Sequence, residues 1–322
     1  MKLGIGITTF PWPAEEIGPA VSRIATAADE AGVDSLWVMD HFFQIRLSGL
    51  PPTSPMPEAY ATLAFLGGLT RRIRLGTLVT SVAYRHPGVL VKTVTSLDVL
   101  TGGRVIFGVG AGAPWNIAPA GPGTAFEAEG LGIPFPSLAE RFERLEEVLQ
   151  IAHQMWRGDE SPYQGRHYQL VRPLNSPNSL QRPHPPILIG GSGERKTLRL
   201  VAQYADACNL FDVQNSQFRD NLEHKLTVLR HHCDLLGRDF ATIEKTVTSS
   251  FDLGEDPKAG AAALLAHLRE LAATGIDHAL ASPRSSWDEA TFEAIASILP
   301  EVHAIEPKTS RRVLSSPERR RR

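Results

Sequence analysis

Two short stretches of this 322-residue chain carry residue types that could do chemistry. Asp40-His41 closes the apolar run SLWVM at 35–39, so a carboxylate and an imidazole stand together where a buried strand should end. An imidazole there can take or give a proton near neutral pH, or orient a ligand ring. The plainer reading is that Asp40 caps the next segment while His41 packs as a satisfied core residue. The second stretch, PILIGGSGERKT at 186–197, reads as an apolar strand, a turn at Gly190-Gly191-Ser192-Gly193, and a helix opening near Glu194, Arg195 and Thr197. Successive amides at a helix N-terminus attract an anion, glycines permit its close approach, and Arg195 can grip a phosphate bidentately. The GxxxxGK[ST] spacing of a P-loop is absent. A structural turn with a solvated Arg-Lys pair is the competing reading.

A third stretch, 74–115, runs as strand, turn, helix, strand and Gly-rich loop without interruption. It brings Thr80-Ser81-Val82 beside the GxGxG of Gly108, Gly110 and Gly112 on one rim, with Ala111 between the last two. A bulge there would press an apolar edge against a flat ligand, and the glycines would let it come close. No GxSxG, Cys-His or HExxH pattern supplies a nucleophile or a metal, and no metal site is expected. Cys208 and Cys233 lack CxxC partners and read as reduced, buried thiols. Glu140, Glu143, Glu146 and Glu147, interleaved with Arg141 and Arg144, read as a solvated, ion-paired helix face, and His231-His232 as a polar one. A phosphate clamp, a glycine-lined wall and no nucleophile together point to chemistry carried by a bound cofactor.

The elements that must position these residues alternate along the chain. Strands are predicted at 3–7, 35–39, 73–80, 105–109, 187–189, 207–211, 243–249 and 278–281, and helices at 14–32, 87–100, 138–156, 194–204, 216–236, 258–273 and 287–299. Short apolar runs with weak alternation mark parallel strands buried on both faces. Eight of them fit an α/β fold of the (β/α)8 TIM-barrel kind; an open doubly wound sheet would want an early GxGxxG, which is missing. Two connections, 110–137 and 157–185, are long enough to cover a site. One barrel domain is expected over 1–305, and the basic stretch 306–322 reads as a disordered tail.

A net charge of -2 gives no general attraction to nucleic acid or to an anionic membrane. No apolar run is long enough to span a bilayer and the start of the chain reads as a strand, so a soluble, cytoplasmic protein is expected.

In their order, LGIGITTF, DSLWVMDHFF, the 74–112 stretch, GIPFPSLAERFERLEEVLQIAHQMWRGDE, YQGRHYQL and RPHPPILIGGSGERKTLRLVAQYADACNL make the chain resemble the luciferase-like monooxygenase superfamily, within its coenzyme F420-dependent oxidoreductase branch. The resemblance implies a non-prolyl cis peptide at Ser81-Val82 behind a deazaflavin ring, Asp40, Thr80, Ser81 and Val82 along the ring, and Gly110 and Ala111 beside them. It implies Gly190, Gly191, Gly193, Glu194, Arg195 and Thr197 at the phosphate, His41 as the catalytic residue, and Phe10, Trp115 and Asn116 toward substrate. One departure stands out: Ala113 and Ile117 occupy positions where relatives place acidic residues, and Glu127 or Glu129 are the candidates to replace them. The implied activity is hydride transfer from reduced F420 to an activated C=C or C=N bond of a small-molecule or peptide substrate. An FMNH2-dependent monooxygenase and a non-catalytic cofactor-binding barrel are the alternatives. A homodimer and a reductase supplying reduced cofactor are the expected partners.

Overall fold

The computed structural model describes residues 1–45, 50–112, 124–212, 221–284 and 287–308. The strands are β1 (Lys2–Ile7), β2 (Ser35–Val38), β3 (Arg74–Thr77), β4 (Thr80–Ser81), β5 (Val105–Gly110), β6 (Tyr163–Gln164), β7 (Gln169–Leu170), β8 (Ile187–Gly190), β9 (Ala207–Asp212), β10 (Glu244–Phe251) and β11 (His278–Pro283). The helices are α1 (Ala14–Ala31), α2 (Ala59–Leu69), α3 (Pro87–Leu100), α4 (Thr124–Gly130), α5 (Leu138–Trp156), α6 (Thr197–Tyr204), α7 (Leu222–Leu236), α8 (Pro257–Thr274) and α9 (Glu289–Ala304). In the large sheet all pairings are parallel and follow the order β3-β2-β1-β11-β10-β9-β8-β5-β4, and β3 also pairs with β5, which closes the ring. β3 and β4 are one interrupted strand, so the barrel has eight staves. This is the (β/α)8 architecture that the alternating apolar runs predict. The expected tail beyond 308 lies outside the described residues.

Side chains alternate between two cores. Residues such as Ile5, Leu36, Leu75, Phe107 and Ile189 face outward and meet the helices. Trp37, Ile106, Leu188, Ala207 and Leu280 fill the barrel itself. The indole of Trp37 fits because the neighbouring stave is bare: a Cβ on Gly76 would lie 2.5 Å from its ring. Its N–H donates to Ser35 Oγ at 2.7 Å, which satisfies the one polar atom the ring brings inside.

Three parts of the architecture were not among the expected elements, and one of them is α4, which lies within the connection expected at 110–137. α2 (AYATLAFLGGL) is apolar on all sides, with Tyr60, Leu63 and Leu66 buried but Phe65 and Leu69 exposed, so it lacks the contrast that reveals a helix. The β6–β7 hairpin has only two residues per strand. α6 begins at Thr197 and not at 194, because 194–196 form a turn. Among the described residues no helix is long and apolar enough to cross a membrane.

Candidate active site at the mouth of the barrel

Strand β2 delivers His41 to the rim, where α4 meets it. His41 Nδ1 lies 2.6 Å from Glu127 Oε1, while Glu127 Oε2 accepts the Phe42 amide at 2.8 Å and the Tyr84 hydroxyl at 2.9 Å. The Glu127 side chain is 2% exposed and that of His41 17%. An ionised carboxylate only accepts, so the pairing places the proton on Nδ1 and leaves Nε2 with an in-plane lone pair.

Asp40 is engaged elsewhere. Its two oxygens take Arg85 Nη1 at 2.5 Å and Nη2 at 2.9 Å, and Arg85 also binds Glu58. The guanidinium lies over the Tyr60 ring at 4.9 Å and the Phe42 ring at 5.6 Å. Burial alone would lower its pKa, but hydrogen bonds and charge from Asp40 outweigh that and hold it above the ordinary range.

The expected cis bond at Ser81-Val82 is corrected by the structure: the non-prolyl cis peptide is Leu78-Val79. The cause is where the stave breaks its register. Leu75 pairs with Val105 and Thr80 with Val109, so five steps along β3–β4 match four along β5. The extra residue is absorbed directly after Thr77, whose carbonyl enters the space over Gly108; a Cβ there would sit 1.8 Å from that oxygen. By Ser81 the pairing has already resumed, and the Val82 amide bonds to the Gly110 carbonyl at 3.1 Å. Thr80 Oγ1 is fully buried between Tyr60 OH (2.8 Å) and Thr77 Oγ1 (3.0 Å), Ser81 Oγ accepts the Ala83 amide at 3.3 Å, and Val82 belongs to the outer core. The apolar surface on top of the barrel filling is therefore made by Leu78 and Val79. Gly110 and Gly190 border it: Cβ atoms on them would approach the Val79 methyls to 3.0 and 2.8 Å.

The turn after β8 forms a cradle. Gly191 has φ +114, a conformation side chains avoid, and a Cβ on Gly193 would lie 2.8 Å from Thr197 Oγ1. Among the described residues no side chain caps the start of α6. A helix N-terminus that no described side chain caps, a buried Thr197 and space that only glycine leaves are what a phosphate group requires, so the residues present fit a phosphorylated cofactor. Glu194 faces away, bonded to Lys225 at 2.6 Å and His224 at 3.2 Å, and Arg195 is exposed.

Arg141 and Glu147 do not belong to the solvated face expected of α5. Arg141 is 3% exposed, donates to the carbonyls of Ala111 (3.0 Å) and Gly112 (2.5 Å), and among the described residues its Nε has no partner. Glu147 turns inward to accept the amides of Arg166, His167 and Tyr168. Phe10 is buried in the outer core, and Trp115 and Asn116 lie outside the described residues. Across the mouth, Asp212 at the exit of β9 lies 2.7 Å from His267 Nε2, and its hydrogen bond and charge raise the histidine's pKa against the effect of burial. Cys208 and Cys233 are buried and free, and burial pushes the Cys208 thiol up to about 12. Among the described residues no cluster of His, Cys, Asp and Glu could hold a metal ion.

Leu78, Val79, Tyr84 and Arg141 are the rim residues that sequence reasoning passed over. LVTSV reads as one unbroken strand, and ER at 140–141 looks like any solvated helix start. Glu127 carried one signal, as the first acidic residue after the Ala113-Pro114 break.

Comparison with known proteins places this geometry. Residues 1–305 match the luciferase-like monooxygenase family. A protein named F420-dependent glucose-6-phosphate dehydrogenase from Gordonia bronchialis is 30% identical over 264 residues, covering 80% of this chain and 70% of that protein. Its namesake from Nakamurella multipartita is 33% identical over 197 residues, covering 60% of this chain but 52% of the relative. The chain thus spans from about half to 70% of the length of these curated relatives. An F420-dependent secondary alcohol dehydrogenase, solved with an F420-acetone adduct, superposes with a TM-score of 0.73 at 18% identity over 94% of this chain and 99% of that one. The monooxygenase RslO1 from Streptomyces bottropensis gives 0.71 at 20% identity over the same shares. At such identities the two structures speak for the fold alone.

Proposed function

The chain belongs to the luciferase-like monooxygenase family, and from that premise we propose that it is a coenzyme F420-dependent oxidoreductase acting on a small organic molecule. The observation that carries the reading is the convergence on one rim of an imidazole held by a buried carboxylate, an apolar ledge and a glycine cradle for phosphate. The names of the curated relatives support F420 over FMN. When bound, the deazaflavin supplies a ring carbon that accepts or returns hydride. Gly190, Gly191, Gly193 and the amides entering α6 would hold its phosphate, and Leu78 and Val79 would back its ring. His41 takes or returns a proton through Nε2.

Reduction of an activated C=C or C=N bond fits this arrangement, with His41 as the proton source. One observation favours a second substrate class, the alcohol–carbonyl couple. A carbinol must lose its hydroxyl proton as hydride departs, and a neutral imidazole whose Nδ1–H is fixed by a carboxylate is a base made for that step. Anaerobic incubation of the protein with oxidised F420 and a panel of secondary alcohols, and with reduced F420 and a panel of enones and imines, separates the two by which panel changes the deazaflavin absorbance. Cofactor binding with no exchange in either panel would favour the non-catalytic barrel. Reduction in the second panel calls for a separate reductase to supply reduced cofactor.

A second copy of this chain is the protein partner proposed. α2 carries no charged residue, and Phe65 and Leu69 stand exposed on it, as do Val89 and Leu100 on the adjoining α3. Light scattering should give twice the chain mass.

A further inference from the structure

Resting on that reading, we propose that Glu127, supplied by α4 from the connection between β5 and α5, is the positioning residue of the site: it holds His41 by Nδ1 and stabilises the imidazolium that forms when Nε2 takes the substrate's proton. Catalytic side chains in a barrel ordinarily come from strand exits. This carboxylate comes from a seven-residue helix, 86 positions along the chain from its histidine. α4 is docked for the purpose. Ala128 is fully buried, the Phe126 ring meets Phe43 edge-on at 5.8 Å, and Gly130 lies so close that a Cβ would be 3.0 Å from Phe43.

The chemistry of the contact is specific. Three donors converge on one carboxylate, from the Phe42 backbone, Tyr84 and His41, and among the described residues it has no Lys or Arg ion pair. The other charges at this edge, Asp40, Arg85 and Glu58, are bound to one another. The field of Glu127 is therefore directed at the imidazole, where a buried negative charge offsets the positive charge that develops as Nε2 takes the substrate's proton. A carboxylate needed only to tie α4 down could be replaced by an uncharged acceptor without consequence for proton transfer.

The test uses the full chain labelled with 15N-histidine, the His41 resonances being assigned by their loss in His41→Asn. In the cofactor-free protein His41 should be the Nδ1–H tautomer; the Nε2–H tautomer would overturn the proposal whether or not F420 binds. With bound cofactor, Glu127→Gln should keep F420 affinity within a few-fold and lower kcat/KM by about a hundredfold. It should also move the limb of the pH profile that disappears with His41 toward acid, and Glu127→Asp should restore part of both. Unchanged kcat/KM and an unmoved profile in Glu127→Gln would reduce the contact to a structural tie. Loss of F420 binding by the wild-type protein would instead remove the functional reading and leave the tautomer result standing.

Discussion

The floor and the mouth of the barrel use polar groups in opposite ways. At the floor, charges meet opposite charges across neighbouring strand ends: Lys2 with Glu244 at 2.8 Å, and Lys245 with Asp277 at 2.9 Å, Lys245 also donating to the Ile243 carbonyl. His278 joins Ser35 at 3.0 Å, and Ser35 holds Trp37. These groups answer one another and fix which strand lies beside which. At the mouth, among the described residues, the pairing is left incomplete: Glu127 meets an imidazole with a second nitrogen to offer, Arg141 meets carbonyls while its Nε finds no partner, and no side chain caps the turn into α6. The polar groups of the floor are spent mainly on one another, whereas those of the mouth keep capacity that a ligand could use.

Breaking the contrast at its sharpest point, His41→Asn should lower kcat by about 10²–10⁴-fold while the melting temperature stays near the parent's. Loss of fold together with activity would place His41 among the floor's kind of residue. Lys245→Met should do the reverse, because its side chain is 3% exposed and its removal takes the ion pair from Asp277, which keeps the Lys245 amide. The cost expected in denaturant unfolding is about 1–3 kcal/mol, with kcat of the folded fraction unchanged. A third, smaller effect belongs to the cradle. Gly193→Val should weaken F420 binding about tenfold and leave binding of the phosphate-free deazaflavin riboside unaltered, since only the phosphate loses its amides. Equal loss for both ligands would move the phosphate elsewhere.

The smallest effects lie in pH. His267 has a folded pKa above its ordinary value through Asp212, so this pair contributes stability below about pH 6.5 that is lost as pH rises through the folded value. Glu244 behaves oppositely. Burial would raise its pKa, but hydrogen bonds and charge from His278 and Lys2 hold it well below the usual range, so its contribution is present at neutral pH and is lost in acid. Unfolding of His267→Gln should therefore differ from the parent chiefly at pH 5–6, and that of Glu244→Gln chiefly above pH 5, each read by chemical denaturation across pH. Parallel curves for both variants would remove the distinction.

The parts of this molecule that were legible in its sequence are those where one local pattern decides the outcome. α3 and α5 occupy the residues their periodicity marks, 87–100 and 138–156, because each presents an apolar stripe to the barrel. The staves follow from apolar runs bounded by turns. α2 stayed hidden because apolar residues on both faces erase the period, and α6 starts late because a cradle needs its glycines and a turn before the helix. In the site, type and position sufficed to put His41 on the rim and a glycine turn directly after β8. They did not suffice for the bulge, whose place is set by the non-local register between β3–β4 and β5, nor for the destination of Asp40, decided by Arg85 far along the chain. Glu127 illustrates the limit: its residue type invites a role, and only the docking of α4 gives it His41.

The most direct measurement is a fluorescence titration of the purified chain with oxidised F420 and, under the same conditions, with FMN. Micromolar binding of F420, with FMN weaker or undetectable, is the expected result. Micromolar binding of FMN with none of F420 would contradict the account of the mouth as a deazaflavin site.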